Sequence, residues 1–511
     1  MTKILEHVNQ IVWGAPALVL ILGVGLYLSI RTGFAQLALF PKAMGSFFSR
    51  LSGKSEKSDG GVTSFQALCT ALAATVGTGN LAGVAGAMAI GGPGAVFWMW
   101  ICGVLGMATK FAEATLAVHF RTRENGEYVG GPMYMIRAGM GKRWQWLAAV
   151  YSFFGVVAAF GVGNATQINA VITGINGAVE AFGGESSTIG NLVMGVILAV
   201  VIAAMLLGGA RRIGVVAEKL VPFAAAAYLL LGLGVLIARV QLLPDAFRAI
   251  IQGAFSPRAV TGGAVGSILA TMRIGVSRGV FTNEAGMGTA SIAHAGADTD
   301  HPAQQGLMGI VEVFLDTIVI CTMTALVILC SGVSIPYGQD VGVALTTQAF
   351  SLVYGDWVSV LIAVELCCFA FATVLGWGLY GARCAQFLFG PGSWKKFAIL
   401  QAVTVVIAAV LETGTVWLLS EMVNGLMAIP NLIALAALSP TLAKLTKDYS
   451  IQSAQNRATG GTYENFHQRK PLRALAHAKV PSPGSPGGKA GKEDLPFEHR
   501  PAGYQDPGGV L

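Results

Sequence analysis

Charge is scarce in this chain: Asp, Glu, Lys and Arg make up 12% of its 511 residues, whereas a soluble protein carries about a quarter. With 54% hydrophobic residues and a mean hydropathy of +0.64, that deficit excludes an ordinary water-soluble fold and points to a polytopic membrane protein. Metal-type cysteine spacing is also missing. The seven cysteines, at 69, 102, 321, 330, 367, 368 and 384, lie in apolar stretches and read as small buried hydrophobes rather than redox or zinc ligands. The seven histidines do not gather either. The first apolar stretch, residues 11–30, has no basic leader and is followed by no A-x-A cleavage site, so it reads as a retained span. Lysines and arginines behind the net charge of +7 sit mainly in a few loops and the tail. Membrane orientation accounts for them without nucleic acid, and lipid is the expected surrounding.

What is present is a series of about eleven apolar segments, each near the roughly 20 residues that cross a bilayer as a helix. They centre on 11–30, 65–90, 94–117, 147–182, 190–207, 213–238, 263–292, 306–331, 357–389, 397–411 and 417–438. The loop after the first carries Arg31, Lys42, Arg50, Lys54 and Lys57, and the loop after the third carries Arg121, Arg123, Arg137, Lys142 and Arg143. Both are expected on the cytoplasmic side, as are Arg211, Arg212, Lys219, Lys395 and Lys396, which places the N-terminus outside and the C-terminus inside. The loop with Arg239, Arg248 and Arg258 is the exception. Beyond Asp448 hydrophobicity collapses, and a disordered cytoplasmic tail is expected over 448–511.

One stretch departs from a plain span. Thr75-Val76-Gly77-Thr78-Gly79-Asn80 puts two glycines and three polar side chains in the middle of residues 65–90. Irregular backbone survives in hydrocarbon only where protein buries it or it lines a cavity, so a break here implies a site. The half-helix starting near Asn80 offers unpaired N–H groups to an anion, and the one ending near Thr75 turns carbonyls toward a cation. The bland alternative is close helix packing, since Gly79 and Gly83 form a G-x-x-x-G.

A second such stretch follows roughly 200 residues later, the spacing of an inverted-repeat transporter. In Met272 to Gly288, glycines at 275, 279, 286 and 288 interleave with Arg273, Arg278, Asn283 and Glu284, and ionisable groups at membrane depth suggest a protein-lined cavity. If the first span is peripheral, five helices to Ala238 and five from Gly263 form two halves of opposite orientation. The string Gly275-Val276-Ser277-Arg278-Gly279 also matches a nucleophile elbow, but that motif requires a strand, a turn and a helix, and no histidine falls well inside any span. An enzyme is not expected.

The run Gly91-Gly92-Pro93-Gly94-Ala95-Val96-Phe97-Trp98-Met99-Trp100 resembles the signature of the alanine or glycine:cation symporter family, also called the sodium:alanine symporters. Similar blocks are Phe65-Gln66-Ala67-Leu68, the TVGTGN run, Gly130-Gly131-Pro132-Met133-Tyr134, Arg278 to Gly286 and Leu375-Gly376-Trp377. The resemblance covers residues 10–445. It implies an all-α, LeuT-like fold: an extra N-terminal helix with its linker over 1–62, five-helix repeats over 63–240 and 241–447, and discontinuous first and sixth core helices. It also implies sodium-coupled uptake of small neutral amino acids, alanine or glycine, across the plasma membrane, or the inner membrane of a Gram-negative cell. Sodium is the coupling ion, with no other cofactor.

Carried over by motif, Gly77, Thr78, Gly79 and Asn80 meet the substrate carboxylate, while carbonyls near Thr75, Ile274 and Gly275 take its ammonium. Sodium, a hard cation, prefers oxygen; the resemblance assigns it the carbonyls of Ala73 and Val76 and the hydroxyl of Thr373. Ala372 stands where the family often has serine, which leaves proton coupling open. Gln167 and Asn164 either face the pocket or bond between helices. Trp377 forms an apolar wall, and Arg278, Asn283 and Glu284 gate or pair on the cytoplasmic side. Glu312 and Asp316 either relay protons or pair structurally, and Glu365 has no legible partner. Alternatives are a glutamine- or serine-preferring symporter of the same fold, a channel, or a transporter-like sensor; the channel would need a continuous polar lining.

Overall fold

The computed structural model describes residues 12–51, 62–124, 126–263, 266–339, 341–411 and 413–458. Residues 1–453 form one compact unit. The second unit, 454–511, is described only to residue 458, where the last helix, Thr413–Ala458, ends. Helix therefore continues ten residues past the expected tail boundary at Asp448. The rest of the expected tail lies outside the described residues.

The helices that position the site are α1 (Ala15–Arg31), α2 (Ser64–Thr75), α3 (Val84–Gly91), α4 (Gly94–His119), α5 (Gln145–Phe160), α6 (Thr166–Ala181), α7 (Thr188–Leu206), α8 (Gly209–Ala238), α9 (Leu243–Phe255), α10 (Ile268–Asn283), α11 (Thr289–Ala295), α12 (Pro302–Val313), α13 (Thr322–Ser331), α14 (Ala344–Tyr354), α15 (Val358–Phe389), α16 (Ser393–Ala408) and α17 (Thr413–Ala458). Among the described residues, seven helical segments are long and apolar enough to cross a membrane, and eight if α2 and the helix after its break count as one. The helices α1, α10 and α16, at 17, 16 and 16 residues, are shorter. Large apolar side chains such as Val19, Ile189, Val200, Phe223, Leu230 and Leu269 point outward. In water such a surface would drive aggregation; in a bilayer it faces solvent of its own kind.

Polar side chains are the inward-facing minority. Helix α4 is buried against α10 and α12, and α15 against α2, α5, α6 and α8. Small residues permit this closeness. A Cβ on Gly275 would stand 2.4 Å from the carbonyl oxygen of Ala95, so α10 and α4 touch backbone to backbone there.

Both expected breaks exist. Helix α2 starts at a capping box formed by Thr63 and Gln66 and ends at Thr75; the chain then turns through the π-helical stretch Gly79–Gly83 into α3, with a bend of 49°. The second break lies later than the sequence suggests. Helix α10 runs unbroken through Ile274 and Gly275 to Asn283, and the interruption spans Glu284 to Gly288, where Glu284, Gly286 and Gly288 adopt positive φ of 54°, 94° and 77°. Glycine takes such angles freely, while Glu284 pays about 1–2 kcal/mol for its own. The elbow string thus lies within a continuous helix, and among the described residues no strand leads directly into that helix.

Two small sheets staple the end of the molecule that carries the basic loops. Strand β1 (Val62–Thr63) runs parallel to β4 (Ala297–Asp298), and β2 (Thr122–Glu124) pairs antiparallel with β3 (Glu127–Val129). The first joins the start of α2 to the end of α11.

Candidate substrate and ion site

At the first break the helical ladder is interrupted by two side chains. Gly77 N donates to Asn80 Oδ1 at 2.9 Å, and Thr78 donates to Gln167 Oε1 through Oγ1 at 2.9 Å and N at 3.4 Å. Those two N–H groups are the ones that an unbroken helix would turn to the carbonyls of Ala73 and Ala74. Both carbonyls are thereby released from those bonds. Opposite them stands Thr373 on α15, its Oγ1 buried with no hydrogen-bond partner among the described residues and 2.6 Å from where a Cβ on Gly77 would sit. Any side chain at position 77 would fill the space that this hydroxyl faces. Thr75, Thr78, Asn80 and Gln167 are all buried, so the site is shut off from solvent.

The structure brings Gly77, Thr78, Asn80, Gln167 and Thr373 together, with Thr75 and Val76 ending α2 beside them. Thr75 Oγ1 itself bonds back to Ala71 O at 3.2 Å. Trp377 follows one turn after Thr373 on α15, and a Cβ on Gly163 would lie 2.2 Å from its own Cβ, so the indole is seated on α5 and α6's connecting π-helical turn, Gly161–Ala165. Two expected members are elsewhere, and Asn164 takes the second of the two uses open to it. Ile274 packs its side chain on Gly91 at the far end of α3, and Gly275 is pressed against α4, because the helix they occupy does not break there. Asn164 turns to Gln401 O at 2.8 Å, so interhelical bonding is its use.

Residues expected to gate form the second break instead. Asn283 Oδ1 accepts from Ala285 N at 2.9 Å, capping the chain as it leaves α10, and its Nδ2 donates to Thr317 Oγ1 at 3.0 Å. Both oxygens of Glu284 are taken: Trp377 Nε1 donates to one at 2.7 Å and Thr289 Oγ1 to the other at 2.5 Å. Glu284, expected with Arg278 to gate or pair on the cytoplasmic side, thus has both oxygens satisfied by neutral donors. Arg278 is half-buried on α10.

Behind both breaks lies an ionic cluster of which the sequence reading singled out Glu312, with structural pairing as one of its two uses, but not Lys110, Glu113 or His294. Lys110 on α4 has no exposure to solvent and pairs with Glu312 at 3.1 Å, while His294 Nε2 meets the other Glu312 oxygen at 2.9 Å and His294 Nδ1 meets Gln305 at 2.7 Å. One turn from Lys110, Glu113 Oε1 accepts from Gly286 N, Gly288 N and Asn431 Nδ2 at 2.9, 3.0 and 2.7 Å. Backbone N–H groups from a chain of positive φ form such an anion nest. Lys110 and Glu113 in a 26-residue apolar helix were the available signal, because ionisable groups at membrane depth are retained for a reason. Glu365, buried on α15, keeps one oxygen without a partner among the described residues.

On the side of the basic loops, a cavity of about 280 Å³ opens between α2, α11, α15 and the β2–β3 hairpin, lined by Ala67, Thr70, Tyr128, Ile292, Arg211 and Arg383 among others. Arg383 Nη2 pairs with Glu127 at 2.5 Å across its mouth.

Comparison with known proteins identifies this architecture. The model of the sodium:alanine symporter family matches residues 1–462. An uncharacterized transporter of Haemophilus influenzae is 43% identical over 451 residues, covering 88% of this chain and 96% of its own. The sodium/alanine symporter AgcS of Methanococcus maripaludis is 41% identical over 456 residues, covering 88% and 97%. Among solved structures, MhsT in complex with L-phenylalanine superposes with a TM-score of 0.53 at 13% identity, over 77% of this chain and 98% of that one, which establishes a LeuT-like fold. This multi-pass membrane chain is a transporter and no enzyme: it belongs to the sodium:alanine symporter family.

Proposed function

We propose that the chain carries a small neutral amino acid, alanine or glycine, into the cell together with sodium, by alternating access around the first break. The supporting observation is the division of that break into an oxygen-rich and an N–H-rich side. Released carbonyls at Ala73 and Ala74, the end of α2 at Val76 and the unpartnered Thr373 hydroxyl offer a hard cation the oxygens it prefers. On the other side, the N–H groups of Gly77 and Thr78 are held by the carboxamide oxygens of Asn80 and Gln167. A substrate carboxylate displaces these neutral acceptors because charge-assisted bonds are roughly twice as strong. Trp377 limits the side chain that fits.

With the N-terminus outside, the 280 Å³ cavity is the cytoplasmic vestibule, and the arrangement is one closed at the site and hollow on its inner side. Ion and substrate each favour the state the other binds, a reciprocal coupling of typically about 1–3 kcal/mol. Uptake of labelled alanine into proteoliposomes tests the reading, with an inward sodium gradient and with choline in its place. Accumulation that requires sodium is expected. Equal uptake in choline overturns the coupling, and no uptake of any small neutral amino acid under either gradient overturns the substrate class.

A further inference from the structure

Asp316 lies in an eight-residue π-helical stretch, Phe314–Cys321, between α12 and α13, and it is fully buried. Wide turns of this kind cluster at functional sites. Its Oδ1 accepts from Asn80 Nδ2 at 2.7 Å, and its Oδ2 accepts from Thr317 Oγ1 at 2.8 Å. That hydroxyl also accepts from Asn283 Nδ2 at 3.0 Å. One carboxyl is thus joined directly to the first break and through a single hydroxyl to the start of the second.

Among the described residues, no cation touches Asp316. On its own helix Glu312 lies one turn earlier, and Cys321, just beyond, sits 3.2 Å from Asn80 Nδ2. From α4 the nearest cation is Lys110, which is committed to Glu312, and the second broken helix contributes Glu284 and His294, the latter also held by Glu312. The break itself faces Asp316 with the neutral Asn80. Of the four buried carboxyls in the cluster, Glu312 has two cationic or basic partners and Glu113 has a nest of N–H groups, whereas Glu284 and Asp316 have neutral donors alone. Of these four, only Asp316 touches Asn80 among the described residues. A substrate carboxylate arriving at Gly77 and Thr78 would stand on the other side of that one side chain, and two anions so placed in a dry interior repel strongly.

We propose that Asp316 is a proton-binding site coupled to the amino-acid site, ionised when that site is empty and protonated when it is filled. The inference rests on reading the first break as the amino-acid site. Protonation needs no rearrangement of the backbone: the Thr317 hydroxyl rotates its own O–H off Oδ2, and the new O–H at Oδ2 donates to Thr317 Oγ1, whose two lone pairs then accept from Asp316 and Asn283 together. The proton comes from solvent, and no other covalent bond changes.

The test is calorimetric titration of the purified full chain with alanine in buffers of different ionisation heat. Proton uptake on binding is expected, with affinity weakening by up to about tenfold per pH unit above the titration. Asp316→Asn, which imitates the protonated acid, binds alanine with a flat pH profile and no proton uptake. Binding by the unaltered chain without proton uptake overturns the proposal, as does undiminished uptake in Asp316→Asn. Infrared difference spectra between acid and alkaline pH, recorded without amino acid, give a separate readout: a protonated-carboxyl band is expected that Asp316→Asn removes, and an unaltered band overturns the assignment. If the chain binds no small neutral amino acid, the first-break reading fails while the infrared band still decides the fate of Asp316.

Discussion

Asn80 joins the two halves of the site with a single carboxamide, its oxygen on Gly77 N and its nitrogen on Asp316. Replacing it with alanine strands a buried donor and a buried acceptor, each at a cost of about 1–3 kcal/mol. Asn80→Ala is therefore expected to lose uptake and to melt earlier, which thermal unfolding of the purified protein checks; a variant with unchanged Tm and uptake would contradict the network. Thr373 is the complementary case, since its hydroxyl bonds to nothing described and its removal leaves no partner stranded. Thr373→Ala should keep its Tm in choline and lose the rise that sodium produces. At a sodium concentration a hundredfold above its dissociation constant that rise corresponds to about 2.7 kcal/mol of stabilisation. Persistence of the full sodium effect in Thr373→Ala would place the ion elsewhere.

Elements are held to one another by charge as well as by packing. The pair of Lys110 on α4 and Glu312 on α12 is completely buried, so removing one partner leaves an uncompensated ion at a cost of about 3–5 kcal/mol. Lys110→Met alone is expected to reduce the yield of monodisperse protein on size-exclusion chromatography. The double variant Lys110→Met, Glu312→Leu removes both charges and should recover most of that stability, because apolar replacement of a whole buried pair is often neutral. Failure of the double variant to improve on the single one would mean that His294, rather than Lys110, makes the important contact. The placement of the second break belongs to this scale too. Glycines from 275 to 288 left the sequence open over fourteen positions, and the anion nest of Glu113 under Gly286 and Gly288, supplied by a helix about 170 residues away in the chain, selected the last five.

Across the whole molecule, the start of the first broken helix and the end of the second are tied to each other. Val62 and Thr63 pair with Ala297 and Asp298, Ser64 Oγ donates to Asp298 O at 3.1 Å, and Gln305 Nε2 reaches Ser64 O at 3.4 Å. Helices α2, α11 and α12 are thereby laced together beside the vestibule, and an opening motion on that side has to carry all three. A disulfide between Val62→Cys and Ala297→Cys, which are direct Cα partners in the ladder, should leave uptake intact under oxidising conditions. Uptake that stops on oxidation and returns on reduction would show that these ends separate during transport.

Composition and the spacing of apolar segments were sufficient to determine a helical membrane protein, because bilayer thickness and the cost of unpaired backbone allow few other answers. The first break was legible as well, since its glycines and polar residues are contiguous and act through their own backbone. Side-chain pairing was not. Asn164 and Gln167 share one run yet point to different helices, Glu284 takes Trp377, and Lys110, Glu113 and Asp316 gain their meaning from partners far off in sequence. Hydrocarbon forces every buried polar group to find a partner, but which one it finds depends on how helices cross, and only the tertiary structure decides that.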